Sequence, residues 1–278
     1  MNKTLVLYVF HEFNNRVEYF INNSIFKHPL VDFIIIYNNN SNNNIIHTKL
    51  REMIPEYVNV IVRENLGYDF GGWSRALFNP LNNYNDDEKY LYEKYKYFIF
   101  LNSSVIGPFV PIYYKKKWTD IFIEQLNEQN SNNNVKIIGP TINACGGMAG
   151  IYVPVEHGAH VQTYLFCIER NTLDFLIKEK IFENENENKN LINYYKNMTF
   201  NDAIRKEISM SRKIIENGGN IGSMLKMYIN VDFTFKNKTS EQYKKNNIIF
   251  YGDIMYKDAI NKLWSEYDVV FFKGNRIL

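Results

Sequence analysis

Apolar runs recur through the first half of the chain, and most are followed by a stretch in which apolar residues return at helical spacing. TLVLYVF (4–10) precedes RVEYFINNSIF (16–26), and VDFIIIY (31–37) precedes IIHTKLREMI (45–54). VNVIV (58–62) precedes a glycine-rich stretch, RENLGYDFGGW (63–73), and a short helical pattern, WSRALF (73–78). KYFIFL (96–101) and, after a turn, WTDIFIEQL (118–126) lead to VKIIG (135–139). Continuous β-branched runs predict strands buried on both faces, as in a parallel sheet. Their alternation with helices predicts βαβ units. The expected fold is α/β, with a mostly parallel, doubly wound, Rossmann-like sheet flanked by helices.

The second half is less regular. TYLFCI (163–168) reads as a strand, and NTLDFLIKEKIF (171–182) as a helix capped by Asn171 or Thr172. NENENKN (184–190) reads as a polar linker that need not pack. FNDAIRKEISMSRKIIENGG (200–219) is a long helix with Gly218-Gly219 as its stop, and DVVFF (268–272) is the expected last strand. No internal repeat or domain boundary interrupts the pattern, so residues 1–278 read as one domain.

Composition narrows the classes. A net charge of +2 gives no sign of a general nucleic-acid binder or a polybasic membrane protein. No apolar window is long enough for a membrane span. The N-terminal apolar run is short and lacks a small-residue cleavage site, so it reads as a strand rather than a signal peptide. The two cysteines, Cys145 and Cys167, form neither a metal-ligand spacing nor a disulfide framework. A reducing, cytoplasmic location fits. Aromatics make up 16% of the residues; such rings stack on sugars and bases, and they also simply fill cores. The asparagine clusters mark polar loops and the codon bias of an AT-rich genome.

In an open α/β sheet, ligands bind beyond the carboxyl ends of the strands. The residues that follow the predicted strands are His11 and Glu12; Asn38, Asn39 and Asn40; Asn65, Gly67 and Asp69; Asn102, Ser103 and Ser104; and Thr141 and Asn143. Loops are polar in any protein, but this set, with its glycines, points to a ligand rich in hydroxyls and phosphates. Gly67, Gly71 and Gly72 suit either a positive-φ turn or a close approach of ligand to backbone N–H groups at a helix start. Neither the dinucleotide nor the P-loop fingerprint is present.

ENLGYDFGGW (64–73) followed by FIFLNSSVIGPFVP (98–111) resembles the paired motifs of the rhamnan-synthesis protein F family of glycosyltransferases and its eukaryotic and viral relatives. HVQTY (160–164), EISMS (207–211) with GNI (219–221), and FKGNR (272–276) resemble later segments of that family, in the same order. The resemblance covers about residues 58–276 and implies a GT-A-type glycosyltransferase that takes a nucleotide-sugar donor and a glycan or other hydroxyl acceptor. It implies that Asn65, Gly67 and Asp69 line the donor site, with His11 and Asn38 at neighbouring strand ends. Asn102-Ser103-Ser104 falls where such enzymes carry the Asp-x-Asp that holds Mn or Mg on the diphosphate. Three neutral side chains are poor ligands for a hard divalent cation. Lys273 and Arg276 are then candidates to balance the departing diphosphate. Glu207 is the expected general base with Asp202 second, and His160 and Gln162 are expected near the sugar or acceptor. A helix-surface carboxylate or a C-terminal cation can also be ordinary solvated charge. An inert nucleotide-sugar-binding module would use the same site without the base. A nucleotidyltransferase would want metal-binding carboxylates at the strand ends.

Overall fold

The computed structural model describes residues 2–39, 44–80, 89–144 and 153–277; Asn40 and Cys145 lie outside them. The first half runs β1 (Thr4–Phe10), α1 (Asn15–Ser24), β2 (Val31–Asn38), α2 (Asn44–Met53), β3 (Asn59–Arg63), α3 (Tyr68–Leu77), β4 (Tyr97–Asn102), β5 (Val105–Ile106), α4 (Trp118–Asn133), β6 (Val135–Gly139) and β7 (Ile142–Asn143). It continues through α5 (Val155–Gly158), β8 (His160–Val161), β9 (Leu165–Glu169), α6 (Arg170–Lys178), α7 (Lys189–Asn197), α8 (Phe200–Glu216) and β10 (Asn220–Ser223). The last elements are α9 (Ser240–Lys245), α10 (Glu266–Val269), β11 (Phe272–Lys273) and α11 (Gly274–Ile277).

Seven strands form the main sheet in the order β10-β6-β9-β4-β1-β2-β3. All neighbours are parallel except β9, which runs antiparallel to both β4 and β6. β1 is buried along its whole length, as its uninterrupted apolar run requires. From β1 the chain steps outward to β2 and β3, then returns to place β4 on the other side of β1. That reversal leaves a crevice beyond the carboxyl ends of β1 and β4, where open α/β sheets bind ligands. α3 packs on β1 and β2, α4 on β6, and α6 on β9. Trp73 of α3 is fully buried, with its ring edge-on to Phe70, Phe100 and Phe166, so α3 is locked to the centre of the sheet. One apolar core runs from Leu5 to Ile277.

Several expectations are corrected. VNVIV is not buried on both faces: β3 is an edge strand, and Val60 and Val62 are exposed. The glycine-rich stretch is not a loop ahead of a helix, because α3 already begins at Tyr68 and contains Gly71 and Gly72. Gly67 precedes it with φ 71°, a left-handed conformation that glycine adopts without a Cβ clash. A Cβ on Gly71 would lie 2.0 Å from the Leu66 carbonyl oxygen, and one on Gly72 would lie 2.8 Å from Val9 Cγ2. Gly72 lets the helix approach the sheet, and Gly71 leaves room for the Leu66 carbonyl of the turn that leads into the helix. Glu169, not Asn171 or Thr172, holds the N-cap position of α6, without a side-chain capping hydrogen bond. DVVFF is a helical turn, α10, followed by the two-residue β11. Gly218 does end α8, at φ 82°.

NENENKN packs where a free linker was expected. Asn184 is buried and donates to the Tyr90 hydroxyl at 2.9 Å. Glu185 accepts from Arg63 Nη2 at 2.6 Å, and the Arg63 side chain is only 8% exposed. Arg63 Nη1 also donates to the Leu66 carbonyl at 2.8 Å, which fixes the turn into α3. Replacing Gly71 by alanine is expected to cost about 2 kcal/mol or more in urea denaturation, because the obstructing atom is backbone. A cost below about 0.5 kcal/mol would show that the helix start can shift to make room.

Candidate active site

The turn from β3 into α3 places Asp69 in the first helical turn, opposite the end of β4. There Asn102 Nδ2 donates to Asp69 Oδ2 at 2.7 Å, while its Oδ1 accepts from the Ser104 backbone N–H at 2.9 Å. Burial pushes the Asp69 carboxyl up to about 6; the Asn102 hydrogen bond opposes this and the Glu207 charge adds to it.

Glu207 lies on α8. Its Oε2 accepts from the Thr163 N–H at 2.6 Å and the Thr163 hydroxyl at 2.5 Å, at the bend between β8 and β9. Its Oε1 faces His160 Nε2 at 3.6 Å. His160 Nδ1 lies 2.7 Å from the Gly158 carbonyl, which can only accept, so Nδ1 carries the proton. Burial would raise the Glu207 carboxyl. His160, Lys273 and Thr163 together outweigh burial and hold it below its usual range. Two carboxylates in one crevice are thus driven in opposite directions.

The cations arrive from the end of the chain. β11 pairs antiparallel with β5, just after Asn102-Ser103-Ser104. The Gly274 N–H donates to the Ser104 carbonyl at 2.7 Å, and Arg16 Nε donates to the Ser103 carbonyl at 2.9 Å. Lys273 Nζ then sits 3.3 Å from Asp253 Oδ2 and 5.2 Å from the centre of the Tyr164 ring. Arg276 pairs with the same Asp253 oxygen, and Gln162 Nε2 donates to it at 2.9 Å. Burial lowers Lys273, while Asp253 and Glu207 pull it back up. Asp253, burial notwithstanding, is held low by Lys273, Gln162 and Arg276. The three charged side chains leave one positive charge in excess. Gln162 Oε1 and Asn143 Oδ1 are buried acceptors without a partner among the described residues. Each calls for a hydroxyl or water donor.

The predicted residues therefore separate. Asp69, Asn102, His160, Gln162, Glu207, Lys273 and Arg276 belong to one connected set. Ser103 and Ser104 serve it through their backbone carbonyls, His11 is exposed just past β1, and Asn65 is half-buried in the turn before α3. Three expectations are corrected by local geometry. Asn38 is only 3% exposed, and its amide is taken up by the Tyr68 carbonyl and Arg63. The space beside Gly67 holds the Tyr195 ring, so its lack of a side chain does not make room for a ligand. Asp202 is the reciprocal cap of α8, accepting from the Thr199 N–H at 2.9 Å and the Thr199 hydroxyl at 2.6 Å. Asp253 and Thr163 were missed. Asp253 sits in irregular chain where no periodicity marks it, and Thr163 acts largely through its backbone N–H.

The residues present do not fit a hard divalent cation. Asn102 has turned its acceptor to Ser104 and its donor to Asp69, and the described residues contain no group of three or more His, Cys, Asp or Glu that could hold a metal. Two surface cavities lie away from this crevice. One of about 250 Å³ is lined by Lys136, Asn171 and Phe175, and one of about 290 Å³ borders the β3 edge. Neither contains the convergent charges.

No protein-family model matches the sequence, and no curated protein matches it. Among solved structures, TarS of S. aureus shares 12% identity over 67% of this chain at a TM-score of 0.36, and this chain spans 31% of that one. A cytidylyltransferase from Leptospira borgpetersenii is 9% identical, covers 97% of this chain and 93% of its own, and has a TM-score of 0.41. Mouse xyloside xylosyltransferase 1 is 10% identical, covers 99% and 97%, and has a TM-score of 0.33. Likenesses at this level carry no argument about activity.

Because the folded state raises Asp69 above its ordinary value, this group favours folding at low pH, and that contribution is lost as pH rises through about 6. Asp69→Asn keeps an acceptor for Asn102 and removes the charge. Its expected effect is a gain of order 2 kcal/mol at pH 8 and none at pH 3.5 or so, read from denaturation midpoints. An equal effect at both pH values would show that Asp69 is not strained when ionised.

Proposed function

We propose that the chain is a GT-A-type glycosyltransferase, transferring a hexosyl or deoxyhexosyl unit from a nucleotide-sugar donor to a hydroxyl of a glycan. The sequence resemblance to the rhamnan-synthesis protein F family suggests a surface, capsular or virion polysaccharide pathway, with the enzyme acting in the cytoplasm. The observation that carries the reading is the meeting of Asp69, Glu207 and the Lys273–Asp253–Arg276 cluster at the carboxyl edge of the sheet.

Each group suits one task in a direct displacement with inversion. Glu207 is held ionised, and Thr163 fixes one of its oxygens. The other has His160 no closer than 3.6 Å, which leaves lone pairs for the proton of an acceptor hydroxyl. As that proton moves to Glu207, the acceptor oxygen bonds the anomeric carbon, and the carbon–oxygen bond to the diphosphate breaks with its electrons on phosphate. Lys273 and Arg276 meet the charge that develops there, because a diphosphate can compete with the single Asp253 carboxylate they share. Asp69, with Asn102 on one oxygen, accepts hydrogen bonds from donor hydroxyls. Nucleotidyl transfer is the poorer reading, since the Asn-Ser-Ser turn does not supply the metal-binding carboxylates that chemistry uses.

Glu207→Gln preserves shape and removes the base. Its expected effect is a loss of transfer of about a hundredfold or more, with donor affinity within about twofold of wild type, in a coupled assay and a titration. Normal turnover in that variant would remove Glu207 from the mechanism. Donor binding without turnover in the wild-type protein, across acceptors, would favour an inert binding module.

A further inference from the structure

Beyond β5 the chain makes a projection that the crevice does not use. Ile112 is 93% exposed and Tyr113 78%, the two most exposed large apolar residues among those described. They occupy the centre of a turn closed by the Tyr114 N–H on the Pro111 carbonyl at 2.9 Å. Lys115, Lys116 and Lys117 follow directly, and all three are exposed. The net charge of the chain conceals this local run.

The projection is held at both feet. Before it, Phe109 stacks on Phe272 at 5.1 Å, and its N–H donates to the Val270 carbonyl at 2.8 Å. After it, Trp118 is buried, and its indole N–H donates to the Ser24 carbonyl at 2.8 Å. A turn fixed in this way presents its apolar tip without first having to be ordered. The acidic groups nearby leave the positive charge in excess. Glu124 pairs with Lys116, and Asp120 accepts from the Lys117 N–H at 2.9 Å as part of the α4 cap. Lys117 Nζ lies over the Phe26 ring, next to exposed Lys27, and Lys115 makes no ion pair among the described residues.

We infer that this turn is a peripheral contact for an anionic phospholipid bilayer. Ile112 and Tyr113 enter the boundary between headgroups and acyl chains, and the lysines lie against the acidic headgroups. One apolar tip beside a basic cluster is the combination that gives reversible, charge-dependent membrane attachment. The lysines identify the covering surface as negative. Phe109 stacks on the residue before Lys273, so a bilayer on this turn would lie along the same side of the molecule as β11.

The test is co-sedimentation of the full chain with vesicles of phosphatidylcholine alone and with about a third phosphatidylserine. The expected result is binding to the anionic vesicles alone, weakened by salt. Ile112→Ser with Tyr113→Ser is expected to lower that partition on the order of tenfold, and Lys115→Glu to lower it severalfold. Thermal unfolding should be unchanged, since none of these side chains is buried. No binding to anionic vesicles, equal binding to neutral ones, or binding indifferent to the turn variants would overturn the inference. The readout is independent of sugar transfer, so its failure leaves the proposed reaction standing, and the converse holds.

Discussion

The hydrogen bond from Asn102 to Asp69 ties the end of β4 to the first turn of α3 at the crevice. β4 must stop where its last side chain can reach across to the start of α3, and α3 must start where its first turn offers a carboxylate. Much of the surrounding packing enforces that meeting. Gly67 turns the chain, Gly71 makes room for the Leu66 carbonyl of that turn, Gly72 lets α3 settle on the sheet, and Trp73 wedges the helix against Phe100 and Phe166. Arg63 holds the Leu66 carbonyl from beneath and is itself held by Glu185, from a segment far along the chain. Asp69 is half-buried, and its burial raises the carboxyl, so holding it ionised there costs free energy that the fold tolerates.

The remaining charges are arranged around that carboxylate. Glu207 repels it, and Lys273 and His160 stabilise Glu207. Asp253 in turn holds Lys273 and Arg276 in position. The cations reach the crevice only because β11 pairs with β5, directly after the Asn-Ser-Ser turn. The last residues described thus bring cations to the neutral strand-end side chains from another element.

The sequence exposes these features unevenly. Strands with uninterrupted β-branched runs, such as β1 and β2, are plain, because burial on both faces leaves no room for polar residues. β3 has the same kind of run and lies at an edge, a distinction that depends on its neighbours and not on its own composition. In the glycine stretch the positive-φ turn was legible and is found at Gly67, but the close neighbours of Gly67 and Gly72, Tyr195 and Val9, are distant in sequence and were not. NENENKN looked like solvent-loving filler because asparagine and glutamate are polar, yet Arg63 and Tyr90 give its side chains buried partners. Among the carboxylates, Glu207 and Asp202 share one helix, and only the family resemblance ranked Glu207 first. A first-turn position made Asp202 a cap, and a position one and a half turns further on brought Glu207 to Thr163. Asp253 carried no signal, since its importance comes wholly from the three side chains that converge on it.

In the proposed reaction, side-chain cations, in place of a metal, receive the diphosphate in this crevice. Isothermal titration of nucleoside diphosphates and nucleotide sugars in the presence of a chelator, for wild type and Lys273→Ala, tests it most directly. One nucleotide is expected to bind wild type in chelator and to bind Lys273→Ala about tenfold or more weakly. Binding that requires a divalent cation and is indifferent to Lys273, or no binding across the panel, would contradict it.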